Sequence, residues 1–332
     1  MYSKKNILVT TGYGGTGSSA VTDLLSEFKG VKSFGDKEMY LLQDDFGIID
    51  LEFYLITNNH RSKTSLAISK FESFIDKNRK YYTAFFPNFN THINNYLTEI
   101  KKVRFRKPLT QFDYQNDKIS LILIKIYFLF DEIIQTLKKR KEIIHRLPLK
   151  IKYYFPPDKT LFDFITKKLM ADLISDIKED YVIFDQLIPA TSINNYTKYF
   201  DNVKVVVVDR DPRDLFILNK KIWKGASFVS SHKNIDEYIG WYKSIRINSD
   251  LHDDKSQVLR LNFEELIYEY EITKNKIIDF YEVSNLEHKY QFKYFDPKES
   301  IVNTRLWNKY RAEFKNINLI EKELEDFCYN KS

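Results

Sequence analysis

The hydrophobic pattern opens with a short apolar run over residues 5–11. It gives way to a glycine-rich stretch and then to spaced apolar positions from 18 to 28. That order predicts a strand, a tight turn and a helix. A short strand is expected at 31–34. From about 50 to 178 apolar residues recur among Lys and Glu in a mostly helical pattern, broken near Pro87, Pro108, Pro148 and the pair Pro156 and Pro157. Strand signals return at 181–184, at the valine run 203–208 and at 257–261, with a helix expected from Glu264. A continuous valine run suits a strand covered on both faces. Strands alternating with helices predict an α/β fold with a doubly wound, mostly parallel sheet and a P-loop-like Gly-rich turn. The chain reads as one domain over 1–332, with 50–178 as a large helical insertion.

Composition narrows the field. Of 332 residues, 43% are hydrophobic and 16% aromatic, enough for a large core and too much for a disordered chain. The single cysteine, Cys328, excludes an internal disulfide and a multi-cysteine metal site, and no metal is expected. The 52 basic and 46 acidic residues leave a net charge of +6, which suits an anionic ligand without demanding nucleic acid. The basic runs 101–107 and 138–141 are expected as solvated faces. The apolar run 119–130 is too short to span a bilayer. The first residues do not read as a signal peptide, so a cytoplasmic protein with no integral membrane segment is expected.

Four of the nine glycines, Gly12, Gly14, Gly15 and Gly17, fall within six residues. Between a strand and a helix, such a cluster lets backbone N–H groups curl around phosphate, and the helix start adds positive potential. Gly12 to Gly17 satisfies the dinucleotide pattern GxGxxG, with Asp36 about twenty residues on. The same residues followed by Ser18 and Ser19 form a Walker-like loop lacking the usual Lys, which argues against an ordinary ATPase or GTPase. The loop alone leaves both readings open.

The valine strand runs into Asp209, Arg210, Asp211, Pro212, Arg213 and Asp214. Cations at the carboxyl edge of a buried parallel strand lie where open α/β sheets bind ligands, and arginine's fork suits phosphate oxygens. Thr16-Gly17-Ser18-Ser19, the Arg-x-Pro-Arg-Asp of Arg210 to Asp214, and Phe263-Glu264-Glu265-Leu266 after a strand occur in this order. Together they resemble the sulfotransferases that use 3′-phosphoadenosine 5′-phosphosulfate (PAPS) as donor and co-substrate. The resemblance covers the sheet core and leaves the helical block uncovered. It implies that the backbone from Gly14 through Gly15, Thr16, Gly17 and Ser18 to Ser19 holds the 5′-phosphosulfate, helped by the Ser18 and Ser19 hydroxyls. It implies that Arg210 grips the 3′-phosphate. A C-terminal basic segment, with Lys298, Asn303, Arg305 and Trp307 as the candidate stretch, would close over the nucleotide.

The sequence also departs from that family. A Lys or Arg often precedes the Ser/Thr-Gly of the loop, and here Gly15 stands there; Lys37 and Arg61 are the nearest substitutes. A Ser often follows the first Arg of the second motif by eight residues, and here it is Leu218, with Asn219 beside it. An acceptor hydroxyl needs a general base. Glu38 and Asp185 rank first, ahead of Asp44, Asp45 and His60. Trp223 and Trp241 are expected to pack in the core. The implied activity is sulfuryl transfer to a hydroxyl on a small molecule or glycan, a carbohydrate by analogy, with the 50–178 block as an acceptor-side lid. The rivals are a non-catalytic nucleotide-binding homologue and an NAD(P)-dependent dehydrogenase or epimerase.

Overall fold

The computed structural model describes residues 5–59, 63–108, 150–223, 235–247, 249–314 and 317–330, with single helical residues between 122 and 137. His60, Arg61, the basic run 138–141 and most of the apolar run 119–130 lie outside the described residues. The chain divides into two compact units, Met1–Asp44 with Met170–Ser332, and Asp45–Leu169.

The first unit is built on a five-stranded, all-parallel sheet. Its strands are β1 (Asn6–Gly12), β2 (Val31–Lys32), β5 (Tyr181–Asp185), β6 (Val203–Asp209) and β7 (Val258–Asn262), in the order β2-β5-β1-β6-β7. β3 (Arg104–Pro108) and β4 (Lys150–Tyr154) belong to the second unit. β1 is central, pairing Thr10 with Asp185 on one side and with Val206 on the other. Connections leave β1 first toward β2 and β5, then toward β6 and β7. The sheet therefore has its switch point at the C-terminal end of β1, where such sheets bind ligands.

Alternate residues of each strand face opposite sides. Leu8, Ile183, Val206, Val208 and Leu261 pack with Val21, Leu24 and Leu25 of helix α1 (Ser18–Ser26) and with Ile277 and Tyr281. Ile7, Val9, Val182, Phe184, Val205 and Val207, between those positions, are buried as well. Burial on both sides explains why β6 carries valine without polar alternation. Tyr281 pins the centre of the sheet, donating from its hydroxyl to Val9 O at 2.5 Å and accepting from Val206 N at 3.2 Å.

In the second unit the helices Lys63–Thr83 and Phe89–Ile100 pack through aromatic rings, including Phe71 on Tyr96 and Tyr82 on Phe89. β3 (Arg104–Pro108) and β4 (Lys150–Tyr154) form an antiparallel pair that the helical reading of this segment did not foresee. Phe105 is the one apolar residue among Arg104, Arg106 and Lys107, so this stretch carries little hydrophobic contrast to mark a strand. Among the described residues no helix is long and apolar enough to cross a membrane.

Candidate functional site

The glycine loop leaves the C-terminal end of β1, the switch point of the sheet. Gly14, Gly15 and Gly17 have φ of 85°, 72° and 102°, a left-handed backbone that most side chains avoid. The loop is held in place from several sides. Thr16 Oγ1 donates to Val208 O at 2.6 Å and accepts from Tyr13 N at 3.1 Å. Thr16 is buried, so its side chain staples the loop to β6 and only its backbone remains for a ligand. A Cβ built on Gly17 would lie 2.6 Å from Phe263 Cδ2, so glycine is needed for this close approach as well as for its φ. Ala20 N donates to Gly17 O at 3.1 Å, where the helical ladder begins. The amides ahead of it are those a helix start leaves without an intrahelical acceptor.

Tyr13 is the outward anchor. Its ring stacks on the Arg246 guanidinium at 4.1 Å, and Tyr242 lies against the same guanidinium at 3.4 Å. Arg246 in turn makes a two-point contact with Asp209 at the end of β6, at 2.7 and 2.8 Å. The Tyr13 hydroxyl accepts from Arg260 at 2.9 Å and donates to Ser249 at 2.9 Å. Sequence reasoning passed over Arg246 and Arg260 because isolated arginines far from the loop carry no local signal.

Arg210 follows β6 and turns toward the loop. Its Nη1 donates to Gly15 O at 3.4 Å and its Nη2 to Asn303 O at 2.5 Å, and its guanidinium lies 4.4 Å from the Phe263 ring centroid. Phe263 therefore supports Gly17 and Arg210 together. Arg210 is 5% exposed, and its Nε is buried with no acceptor among the described residues. Glu264, the next residue after Phe263, is buried beside it. Glu264 Oε1 accepts from Asp211 N at 3.1 Å, and Oε2 has no partner among the described residues. Burial pushes the Glu264 carboxyl up to about 8, against the pull of Arg210. Burial likewise lowers Arg210 from the ordinary arginine range, opposed by Glu264, Asp214 and Asp211.

The second arginine of the motif has another task. Arg213 is 1% exposed and grips its neighbour Asp211 at 2.6 and 3.0 Å while stacking on Trp307 at 4.1 Å. It ties the start of the helix Pro212–Ile217 to the C-terminal segment, and among the described residues none of its hydrogen bonds reaches the loop. The same segment docks through Trp307 N, which donates to Asp214 at 3.0 Å.

Lys298 is exposed on the short helix Pro297–Ser300, and Arg305 is exposed over the Tyr268 ring at 4.5 Å. Among the described residues neither hydrogen-bonds to Arg210 or to the loop. The residue of this stretch that reaches Arg210 is Asn303, through its backbone carbonyl. Leu218 is buried with Leu215 and Tyr238 in a second hydrophobic cluster. Trp241 packs around the same cluster, as expected of a core residue. Trp223 also packs there, yet its indole covers Gly15 so closely that any side chain at position 15 would run into it. Position 15 thus has an aromatic ring where a side chain would go.

The two first-ranked carboxylates lie together. Glu38 and Asp185 face each other in an isolated parallel bridge, and Met39 N donates to Asp185 O at 2.8 Å. Asp185 ends β5, beside β1. Its carboxylate accepts from Thr10 Oγ1 at 3.3 Å and from the Ser18 hydroxyl at the start of α1. Burial pushes Asp185 up to about 7; the Ser18 bond opposes this and the Glu38 charge adds to it. Gln186, held in a left-handed conformation at φ 62°, donates to Ser18 Oγ at 3.2 Å and accepts from Thr11 at 3.1 Å. Ser18's hydroxyl is thus engaged by protein, while Ser19 is exposed. Tyr40 donates to Glu38, and the Gln43 side chain donates to the Gln186 carbonyl. Asp44 and Asp45 are exposed. Among the described residues no group of three or more His, Cys, Asp or Glu side chains could hold a metal ion.

No protein-family model matches the chain, and no curated protein matches it.

The cover over Gly15 sets an expectation. Gly15→Lys, which would put a cation into the loop, should lower the melting temperature. The new side chain meets Trp223 and a positive φ. Adding Trp223→Ala should recover part of the stability. A thermal melt of the two variants checks this.

Proposed function

We propose that this protein is a sulfotransferase that moves the sulfuryl group of PAPS onto an acceptor hydroxyl, with a carbohydrate as the acceptor class. The observation that carries the reading is the meeting of Arg210 with the Gly15 carbonyl at 3.4 Å, which brings the second motif to the glycine loop at the switch point of the sheet. A phosphate bound by the loop and a second phosphate bound by Arg210 would then belong to one nucleotide. The Phe263 ring, from the third motif, lies under both.

In this reading the backbone N–H groups of Gly14 to Ser19 hold the 5′-phosphosulfate. Asp185 takes the proton of the acceptor hydroxyl as its oxygen attacks sulfur, and the bond from sulfur to the phosphate oxygen breaks in line. A base with a pKa of about 7 is suited to that task near neutral pH. Glu38 keeps Asp185 proton-hungry through its charge. Charge developing on the departing phosphate is met by loop amides, because position 15 carries no cation.

The sheet order weighs against the dinucleotide reading. In a dinucleotide-binding sheet of order 3-2-1-4-5-6, the strand after β1 in the chain pairs with β1. Here β5 lies between β1 and β2. An Asp36 beyond β2 is therefore displaced from the place where the ribose carboxylate belongs. The non-catalytic reading is favoured by one feature, the Trp223 ring in place of the loop cation.

Thermal melts separate these readings. Adenosine 3′,5′-bisphosphate at ~100 times its Kd should add about 2.7 kcal/mol, a rise of about 4 °C, and NAD should add nothing. A shift with NAD alone would overturn the proposal. Transfer of labelled sulfate from PAPS to a pool of sugars then distinguishes the enzyme from a protein that only binds the bisphosphate.

A further inference from the structure

Residues 289–294, Lys-Tyr-Gln-Phe-Lys-Tyr, are six consecutive exposed residues without an acidic side chain. Tyr290, Phe292 and Tyr294 are 38%, 44% and 49% exposed, which is unusual for three large rings so close in sequence. The backbone explains why they stay outside. Glu27, fully buried at the end of α1, accepts from Tyr294 N at 3.0 Å and Phe295 N at 3.1 Å, and pairs with His288 Nε2 at 2.7 Å. The Glu27 carbonyl also accepts from Tyr290 N at 3.1 Å, and Phe28 stacks on His288 at 4.3 Å. Phe295 alone of the segment's last rings turns into the core. The segment is thus tied down from within by its main chain while its aromatic side chains are held out.

The exposed rings alternate with ammonium groups. Lys289 and Lys293 both lie over Tyr290, at 5.4 and 5.0 Å, and Lys293 also lies 4.8 Å from Tyr294. Phe292 rests on Tyr270, which has Lys274 above it. We propose that residues 289–294 form a peripheral docking surface for an anionic lipid bilayer. Phe292, Tyr290 and Tyr294 would enter the headgroup boundary, and Lys289 and Lys293 would meet the lipid phosphates. Aromatic rings with an apolar body and a polar tip settle at that boundary, and lysines beside them are drawn to anionic headgroups. A polyanionic glycan is the less suited partner. The Tyr290 ring is already taken by two ammonium groups and the Tyr294 ring by one, so a pyranose has little ring face left to stack on.

The experiment is co-sedimentation of the full chain with phosphatidylcholine vesicles, with and without phosphatidylglycerol. Binding is expected to the anionic vesicles, to weaken with salt, and to be absent with phosphatidylcholine alone. Lys289→Glu with Lys293→Glu should weaken it tenfold or more, and Phe292→Ser with Tyr294→Ser by a similar factor. The charge-reversal variant should keep the wild-type melting temperature and circular dichroism, since Lys289 and Lys293 are exposed, and the aromatic variant should melt slightly lower because it loses the Phe292 contact with Tyr270. The charge-reversal pair keeps the test decisive if the aromatic pair fails to fold. Wild-type protein that ignores anionic vesicles, or variants that bind them as well as wild type, would overturn the proposal. So would vesicle-independent retention on a sulfated polysaccharide that the same variants lose, which would make the partner a glycan.

Discussion

Arg210→Ala should weaken binding of adenosine 3′,5′-bisphosphate by about two orders of magnitude, as read by titration calorimetry. The size follows from the hydrogen bonds lost. Each charge-assisted bond to a phosphate is worth about 1.5–3 kcal/mol, and tenfold in affinity is about 1.4 kcal/mol. Among the described residues the guanidinium spends Nη1 and Nη2 on the carbonyls of Gly15 and Asn303, while Nε is buried without an acceptor. An anion that reaches Nε removes a standing penalty of about 1–3 kcal/mol for a buried unpaired donor. Exchange of the neutral Asn303 carbonyl for a phosphate oxygen adds to the gain. Arg210→Lys keeps the charge and loses the planar fork, so it should fall between wild type and Ala. Both variants should also melt lower than wild type, because Glu264 and two carbonyls lose a buried partner. The measurement therefore belongs at a temperature where circular dichroism shows the variant folded. Equal affinity of Arg210→Ala and wild type for the bisphosphate would remove the ground on which the sulfotransferase reading stands.

Much of the frame around that arginine was readable from the chain, for identifiable reasons. A strand buried on both faces writes itself as uninterrupted valine, so β6 stood out, and a glycine-poor protein makes a cluster of four glycines conspicuous. The hairpin of β3 and β4 escaped because five of its ten residues are Lys or Arg, which leaves little apolar pattern to read. At the site, motif order led to the expectation that Arg210 lies near the loop, as its contact with the Gly15 carbonyl has it, but could not say what holds the two together. Phe263 does so by packing on Gly17 and under the guanidinium; the third motif marked the residue but not these contacts. Trp223 illustrates a different limit. Core packing was the expectation, and the ring does join a core cluster, yet its other edge closes over Gly15. Glycine at 15 and tryptophan at 223 are two halves of one contact, separated by some two hundred residues of sequence. The motif's two arginines differ for a similar reason. The resemblance assigned Arg210 alone to the ligand, and the fold adds that Arg213 is claimed by Asp211 two residues away.

Asp185→Asn should lower the rate of sulfuryl transfer by about 10²–10⁴-fold, the usual contribution of a positioned general base, while bisphosphate affinity changes little. The amide keeps the shape of the carboxyl and can still pair with Thr10 and Ser18, so the loop should retain its geometry. It cannot take a proton. The pH profile carries the sharper readout. Burial places the Asp185 carboxyl at about 7, and the neighbouring Glu38 charge helps to hold it there. A general base acts in its deprotonated form, so the wild-type rate should rise with pH through about 7 and level off above it. That rising limb should vanish in Asp185→Asn. Glu38→Gln removes the charge that raises Asp185 and should move the limb to lower pH, with a smaller loss of maximal rate. A Glu38→Gln rate that collapses as far as that of Asp185→Asn, with no shift of the limb, would transfer the base assignment to Glu38. The linkage to stability has the opposite sense. A carboxyl whose folded pKa is raised contributes stability that is full below its unfolded value of 3.8 and is lost as pH rises through about 7. The pH range that frees the base for catalysis is therefore the range in which its burial weighs against the fold.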